Sequence, residues 1–308
     1  MKKLFALLLS TILLLSLAAC TTADDEPMVT EDADATEETM ETIKVGLSIS
    51  TLNNPFFVSL ADGAQAAADA GNVELTIVDA NDDVAKQIND IEDLVSKNVS
   101  VLIVNAVDSD AVASTVQTAM DDGIQVIAVD RAVNGVEVAA QIASDNVAGA
   151  KLATEYLVEL VGENAQVIEL QGVPGASATN DRGEGFHAIA DTQLDVVASQ
   201  TANFNRAEGL TVMENLLQAN PDVKGVFAHN DEMALGAMEA IEASGKDIKV
   251  IGFDATDDAL ASIEAKEMSA TVQQQPDLMG QTAVETAIKL ANGEAIEASI
   301  PVEVKLVK

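Results

Sequence analysis

The sequence predicts an α/β protein made of two doubly wound parallel-sheet lobes joined by a multi-strand hinge. Three observations carry that expectation. Short Val- and Ile-rich runs alternate with longer stretches of helical spacing, ten such runs recur from Ile43 to the end, and nearly all of them finish in polar residues. Near-continuous apolar strands separated by helices belong in parallel sheets that are covered on both faces. Ten strands in a chain of 308 residues suit two sheets better than one.

The runs are "IKVGLSIS", "VELTIVDA", "VLIVNA", "IQVIAVD", "AQVIELQG", "LDVVASQ", "VKGVFAHN", "IKVIGFD", "MSATVQQ" and "IPVEVKLV". Asp145-Asn146 and Asn230-Asp231 stand as helix caps before "VAGAKLATEYLVEL" and "EMALGAMEAIEA". Among the early units the longest stretch without periodicity is "RAVNGVEVAAQIASD", Arg131 to Asp145, a natural crossing between lobes. A second crossing is expected near Gln275-Pro276. The expected division is therefore 43–144 plus 277–308 for the first lobe and 145–276 for the second. The last few residues are free to return to the second lobe.

Ahead of the lobes, "MKKLFALLLSTILLLSLAAC" has two lysines, an apolar run and small residues ending in the only Cys. That is the plan of a secretory signal peptide over residues 1–19. Leu17-Ala18-Ala19-Cys20 also has the form of a lipoprotein box, which predicts a lipid anchor on Cys20. Residues 20–42 then form a tether, in which positions 21–42 carry nine acids and no base. Such a segment cannot bury enough surface to fold, and its self-repulsion extends it. The expected location is outside the cytoplasm, periplasmic or at the cell surface, anchored to the membrane through Cys20.

Lys and Arg number 16 against 51 acids, a net charge of −35. So acidic a balance excludes nucleic acid as a partner, because phosphate binding needs clustered cations. A single Cys excludes an intrachain disulfide.

The polar strand ends supply the candidate site. In open parallel sheets, ligands bind beyond the carboxyl ends of the strands. The first run leads into Asn54, Phe56 and Phe57, the third into Asn105 and Asp108, and the fourth into Asp130 and Arg131. Later runs lead into Arg182, Phe204, Asn230, Asp254 and Gln274. Amides both donate and accept, carboxylates accept, and Arg donates in a fixed fork. Ligands rich in hydroxyls require such mixtures. The flat faces of a sugar ring require aromatic walls, and aromatic residues make up only 3% of this chain.

Taken together, "STLNNPFFVSLADGAQ", "VDRA", "IASDN", "VIELQG", "RGEGF", "FAHNDEMALGA" and "VIGFDAT" resemble the periplasmic ribose-binding proteins of bacterial ABC transporters. The resemblance runs from about Ile43 to the end. It implies the type I periplasmic binding protein fold, a monomer, a monosaccharide ligand with ribose favoured, and an ABC permease in the membrane as partner. It also carries the pocket over position by position, with Phe56, Phe57 and Phe204 as ring walls. Asn54, Asp130, Arg131, Arg182, Asn230, Asp254 and Gln274 become hydroxyl partners, with no cofactor and no metal. This chain departs from the family at His229, where relatives have Gln, and in "SATNDRGEGF" before its Arg. Another pentose, allose or the furanosyl signal autoinducer-2 remains open as ligand.

An enzyme would need a nucleophile with a base, a metal cluster or a phosphate loop. The chain has neither Gly-x-Ser-x-Gly nor Gly-x-x-x-x-Gly-Lys, and its only histidines are His187 and His229. The run "DANDDV", Asp79 to Val84, starts like a calcium loop but has Val84 in place of the required Gly, and Asp90 at position twelve. It reads as an acidic turn. A sugar-responsive repressor would begin with a basic helix-turn-helix rather than a leader and an acidic tether.

Overall fold

A computed structural model describes residues 42–308. The expected signal peptide, the lipidated Cys20 and the tether as far as residue 41 lie outside the described residues. Two six-stranded sheets form the frame, each flanked by helices. The first sheet contains β1 (Lys44–Ile49), β2 (Glu74–Asp79), β3 (Val101–Val104), β4 (Gln125–Val129), β5 (Ala140–Ser144) and β11 (Ser299–Val302), in the order β11-β5-β4-β3-β1-β2. The second contains β6 (Gln166–Gln171), β7 (Asp195–Thr201), β8 (Gly225–Ala228), β9 (Lys249–Asp254), β10 (Ala270–Gln273) and β12 (Lys305–Val307), in the order β12-β10-β9-β8-β6-β7. Every pairing is parallel except that of β12 with β10.

The period of two explains why the apolar runs are nearly continuous. In β3 all four residues are buried, but Val101 and Ile103 join one core while Leu102 and Val104 join the core on the opposite face. In β8, Val226 and Ala228 face one side and Phe227 the other. Each lobe thus has two cores, one on either side of its sheet.

Helix α1 (Pro55–Gly71) starts with Pro55 in its first turn and is capped by Asn54, whose Oδ1 accepts from Phe56 N at 3.0 Å. It packs on α9 (Pro276–Ala291) at unusually close range. A Cβ placed on Gly280 would lie 1.9 Å from the Leu60 carbonyl oxygen, and one on Gly63 would lie 2.1 Å from that of Asp277. The two glycines therefore set the separation of the pair.

The chain passes between the sheets three times. It leaves the first sheet after β5 and enters α4 (Asn146–Val161), which packs on β8, β9, β10 and β12. It returns from β10 into α9, which packs on β3, β4 and β5. The third passage links β11 to β12 through Glu303 and Val304.

Two sequence expectations need correction. Among the described residues, twelve strands stand where ten runs were counted, in part because β5 lies inside the stretch read as a non-periodic crossing. Its residues, "AQIAS", include only one Val or Ile, so the apolar signal was too weak to mark it; pairing with β4 and β11 makes it a strand. The final run "IPVEVKLV" is two strands rather than one, and they belong to different sheets.

The lobes touch directly where β3 and β6 end. Ser109 N donates to the Gly175 carbonyl oxygen at 3.0 Å, Ser177 N donates to Ser109 Oγ at 3.1 Å, and Ala132 N donates to Ser177 Oγ at 2.9 Å.

Replacing Gly280 by Ala should force α1 and α9 apart. Overpacking of this kind typically costs about 1–3 kcal/mol, against which the better helix propensity of Ala returns at most about 1 kcal/mol. A lower urea midpoint at unchanged slope is the expected result in equilibrium unfolding.

Candidate functional site

All ten predicted binding residues line one cavity. Asn54, Phe56, Phe57, Asp130 and Arg131 come from the first lobe, and Arg182, Phe204, Asn230 and Asp254 from the second, while Gln274 lies on the passage from β10 to α9. Ala178 completes the lining. The cavity is small, and none of these residues is more than 9% exposed. A larger surface hollow, lined by Leu235, Met238 and Lys246 among others, shares no residue with it.

The strand ends deliver these side chains through strained backbone. Asp130 and Asp254 have φ of +61° and +124° at the ends of β4 and β9, and Phe204 has φ of +57° in the turn that follows β7. Such values are uncommon for residues with a Cβ, and they turn each side chain sharply off its strand into the gap. Gly172 makes room for one of these turns, since a Cβ there would lie 2.0 Å from the Phe204 ring.

Each charged group is held from behind. Arg131 donates from Nη1 to the Ala106 carbonyl oxygen at 3.0 Å, and its guanidinium lies 5.0 Å from the Phe57 ring centre and 5.4 Å from that of Phe204. Arg182 donates from Nε to Asn146 Oδ1 at 2.8 Å and from Nη1 to the His229 carbonyl oxygen at 2.5 Å. Phe253 stacks beneath Arg182 with its ring centre 3.9 Å from the guanidinium carbon. Asp130 Oδ2 accepts from Asn105 Nδ2 at 3.0 Å, and Asp254 Oδ1 accepts from Gln274 Nε2 at 2.8 Å.

Burial sets the electrostatics. It lowers the proton affinity of Arg131 and Arg182, opposed by Asp130 and Asp254 respectively. It raises the carboxyl of Asp130, against the pull of Arg131, and pushes Asp254 well above the ordinary carboxylate value, against Arg182. Behind Asp254, burial pushes Asp231 up to about 7. Its carboxylate accepts from Thr271 Oγ1 at 2.6 Å and Thr256 N at 2.8 Å, and so fixes the turn that carries Asp254.

Among the described residues, two polar atoms in the lining have no hydrogen-bond partner: Arg131 Nε, which lies 3.8 Å from Asp130 Oδ2, and Gln274 Oε1. One is a donor and the other an acceptor. Leaving a buried polar atom unpaired typically costs about 1–3 kcal/mol, so the cavity is built for a ligand that both donates and accepts. The aromatic lining adds flat apolar faces. Together they suit a small polyhydroxylated ring.

Sequence reasoning did not carry Asn105 or Phe253 into the site, although Asn105 was visible as a polar strand end. Ala178 gives no chemical signal. The acidic turn at Asp79 is occupied with its own backbone: Asp79 Oδ1 accepts from Asn81 N at 2.8 Å and Asp83 Oδ1 from Lys86 N at 2.9 Å. Among the described residues, no group of three or more His, Cys, Asp or Glu is arranged to hold a metal ion.

Comparison with known proteins agrees with this architecture. Residues 45–295 match the periplasmic binding protein domain. The ribose import binding protein of Bacillus subtilis (strain 168) is 51% identical over 85% of this chain and 86% of its own length. That of Haemophilus influenzae is 42% identical over 100% of this chain and 99% of its own. An ABC transporter solute binding protein from Mycobacterium smegmatis, solved with bound glycerol, superposes with a TM-score of 0.83 at 36% identity, covering 87% of this chain and 94% of that one. With its two parallel-sheet lobes and the cavity between them, this chain belongs to the periplasmic binding protein family.

Proposed function

We propose that this protein captures D-ribose outside the cytoplasm and delivers it to an ABC importer by closing its two lobes around the sugar. The observation that carries this reading is the unpaired donor of Arg131 and unpaired acceptor of Gln274 in one desolvated cavity walled by Phe56, Phe57 and Phe204. The curated relatives named as ribose import binding proteins support the choice of sugar.

In this reading the hydroxyls of the sugar pair with Asn54, Asp130 and Arg131 from one lobe and with Arg182, Asn230 and Asp254 from the other. Gln274 adds a contact from the passage between β10 and α9. Neither half-site satisfies all hydroxyls, so the sugar binds the closed form more tightly than the open form. Only that difference can shift the population toward closure. The closed shape is the signal an importer reads. The contacts of Ser109, Gly175, Ser177 and Ala132 add a term to closure that does not involve sugar.

Cys20 carries lipid in the same reading, and residues 21–42 act as the tether between anchor and domain. Its motivation is the box Leu17-Ala18-Ala19-Cys20 in a chain without another Cys. Cys20→Ser should move the protein from the membrane fraction to the soluble fraction. A variant that stays with the membrane, or a native mature mass without acyl groups, would be incompatible with the anchor.

Asp254→Ala should weaken ribose binding by tens-fold or more, since removing one partner of a buried charged hydrogen bond costs about 2–5 kcal/mol. Isothermal titration against ribose, allose, myo-inositol and autoinducer-2 tests both the residue and the sugar. No ribose binding by the parent, or undiminished binding by Asp254→Ala, would refute the assignment.

Ribose should also reduce the radius of gyration in solution scattering, and the double variant Arg182→Ala with Asp254→Ala should not compact even at high sugar. Ser109→Ala combined with Ser177→Ala removes two interlobe acceptors, each contributing about 0.5–1.5 kcal/mol. Ribose affinity should then fall about tenfold although neither residue lines the cavity. Full affinity in that variant would show that closure owes nothing to these contacts.

A further inference from the structure

Behind the second-lobe half of the cavity, both histidines of the chain converge on one buried carboxylate. Glu169, on β6, has no exposed surface. Its Oε1 pairs with His229 Nε2 at 2.9 Å, and its Oε2 with His187 Nε2 at 3.3 Å. Gln171 Nε2 donates to the same Oε2 at 2.9 Å. His187 lies on α5 (Ser177–Gln193) and reaches solvent, its side chain 38% exposed, and its Nδ1 contacts Asp191 Oδ1 at 2.7 Å. His229 is fully buried, and its Nδ1 has no hydrogen-bond partner among the described residues. The array runs from surface Asp191 through His187 and Glu169 to His229. It ends one bond from the cavity, because the His229 carbonyl accepts from Arg182 and the next residue is Asn230.

The two imidazoles meet opposite environments. The charged groups facing them are Glu169 from β6 and Arg182 and Asp191 from α5, while Phe227 of β8 and Phe186 of α5 supply aromatic faces. Burial disfavours charge on His229 by more than Glu169 favours it, and Arg182 adds a smaller repulsion, so its proton affinity lies below the ordinary imidazole value. Burial also opposes charge on His187, but Asp191 and Glu169 outweigh it and raise its proton affinity. A second proton on His229 would sit on the unpartnered Nδ1 and place a cation beside Arg182. A second proton on His187 would lie between two carboxylates.

We propose that Asp191, His187 and Glu169 form a proton buffer that keeps His229 neutral on mild acidification, so that Arg182 holds its place and charge in the cavity. His187 takes the proton, sets a positive charge against the Glu169 carboxylate and thereby weakens the attraction that would otherwise charge His229. His229 is a positioning residue, acting on the ligand only through Arg182 and Asn230. The inference rests on the sugar-binding reading above for its effect on affinity, and not for the titrations themselves.

The signs for stability are opposite. The raised value of His187 adds stability that is fully present below the unfolded imidazole pKa of about 6.5 and is lost as pH rises through its folded value. The lowered value of His229 withdraws stability as pH falls below about 6.5, because the unfolded chain takes up a proton that the folded protein refuses.

The test follows imidazole resonances by NMR and ribose affinity by calorimetry on the same full chain between about pH 8 and about pH 5.5. One imidazole, identified by its absence from His187→Asn, should titrate above the ordinary value, and the other should not titrate in this range. Parent affinity should change by less than about threefold, whereas His187→Asn should match the parent near pH 8 and lose about tenfold by pH 5.5. Adding His229→Gln to His187→Asn should abolish that loss, which a merely structural role for His187 would not produce. Two imidazoles titrating together in the parent, or a flat profile in His187→Asn, would overturn the buffer. If the parent binds no ribose at any pH, the sugar reading falls while the two titration curves still decide which histidine takes the proton.

Discussion

Two guanidinium groups, those of Arg131 and Arg182, are buried in a cavity from which water is largely excluded, and the surrounding structure is organised around keeping them there. Taking such a charge out of water costs several kcal/mol after relaxation, and an opposite charge alone rarely offsets that. Here each guanidinium has a backbone carbonyl, an aromatic face and a nearby carboxylate. The carboxylates are themselves held by amides, Asn105 for Asp130 and Gln274 for Asp254. Every member of this set is therefore fixed before any ligand arrives. Fixed dipoles discriminate among hydroxyl arrangements better than mobile ones, because a wrong ligand leaves them unpaired rather than letting them relax.

The sheets make this arrangement possible. Parallel strands end together on one edge, so neighbouring turns can aim side chains at a common point. The positive φ values of Asp130 and Asp254 are the local cost of turning off the strand at once, and that of Phe204 belongs to the turn after β7. The turn at Asp254 illustrates how that strain is held: Asp231 binds Thr256 and Thr271, tying the turn to both α7 (Asp231–Ser244) and β10.

Much of this was legible in the sequence, for identifiable reasons. Val- and Ile-rich runs mark strands buried on both faces, and caps such as Asp145 and Asn230 mark helix starts, as their bonds to Ala148 N and Met233 N show. The site residues were legible as polar groups at strand ends, and their grouping came from the family resemblance. What escaped had no local signature. β5 is made of small and polar residues and exists through its neighbours, and the break within "IPVEVKLV" depends on which sheet each half can join. The unpaired state of Arg131 Nε and Gln274 Oε1 is a property of three-dimensional packing. So is the meeting of His187 and His229, which lie 42 positions apart in sequence, on Glu169.

The three passages between the sheets have a mechanical consequence. A single linker lets two bodies swing and twist about many axes. Three connections at separate points, after β5, after β10 and between β11 and β12, act as parallel struts. Twisting one body against the other would stretch at least one strut, whereas bending all three in the same sense changes few backbone angles. Connections of this kind favour one bending motion over twisting, like a door on three pins. A closing motion about three such connections would bring the same residues back into the same register, by connectivity as well as by contacts. The short link Glu303-Val304 makes the C-terminal strand pair one of those pins.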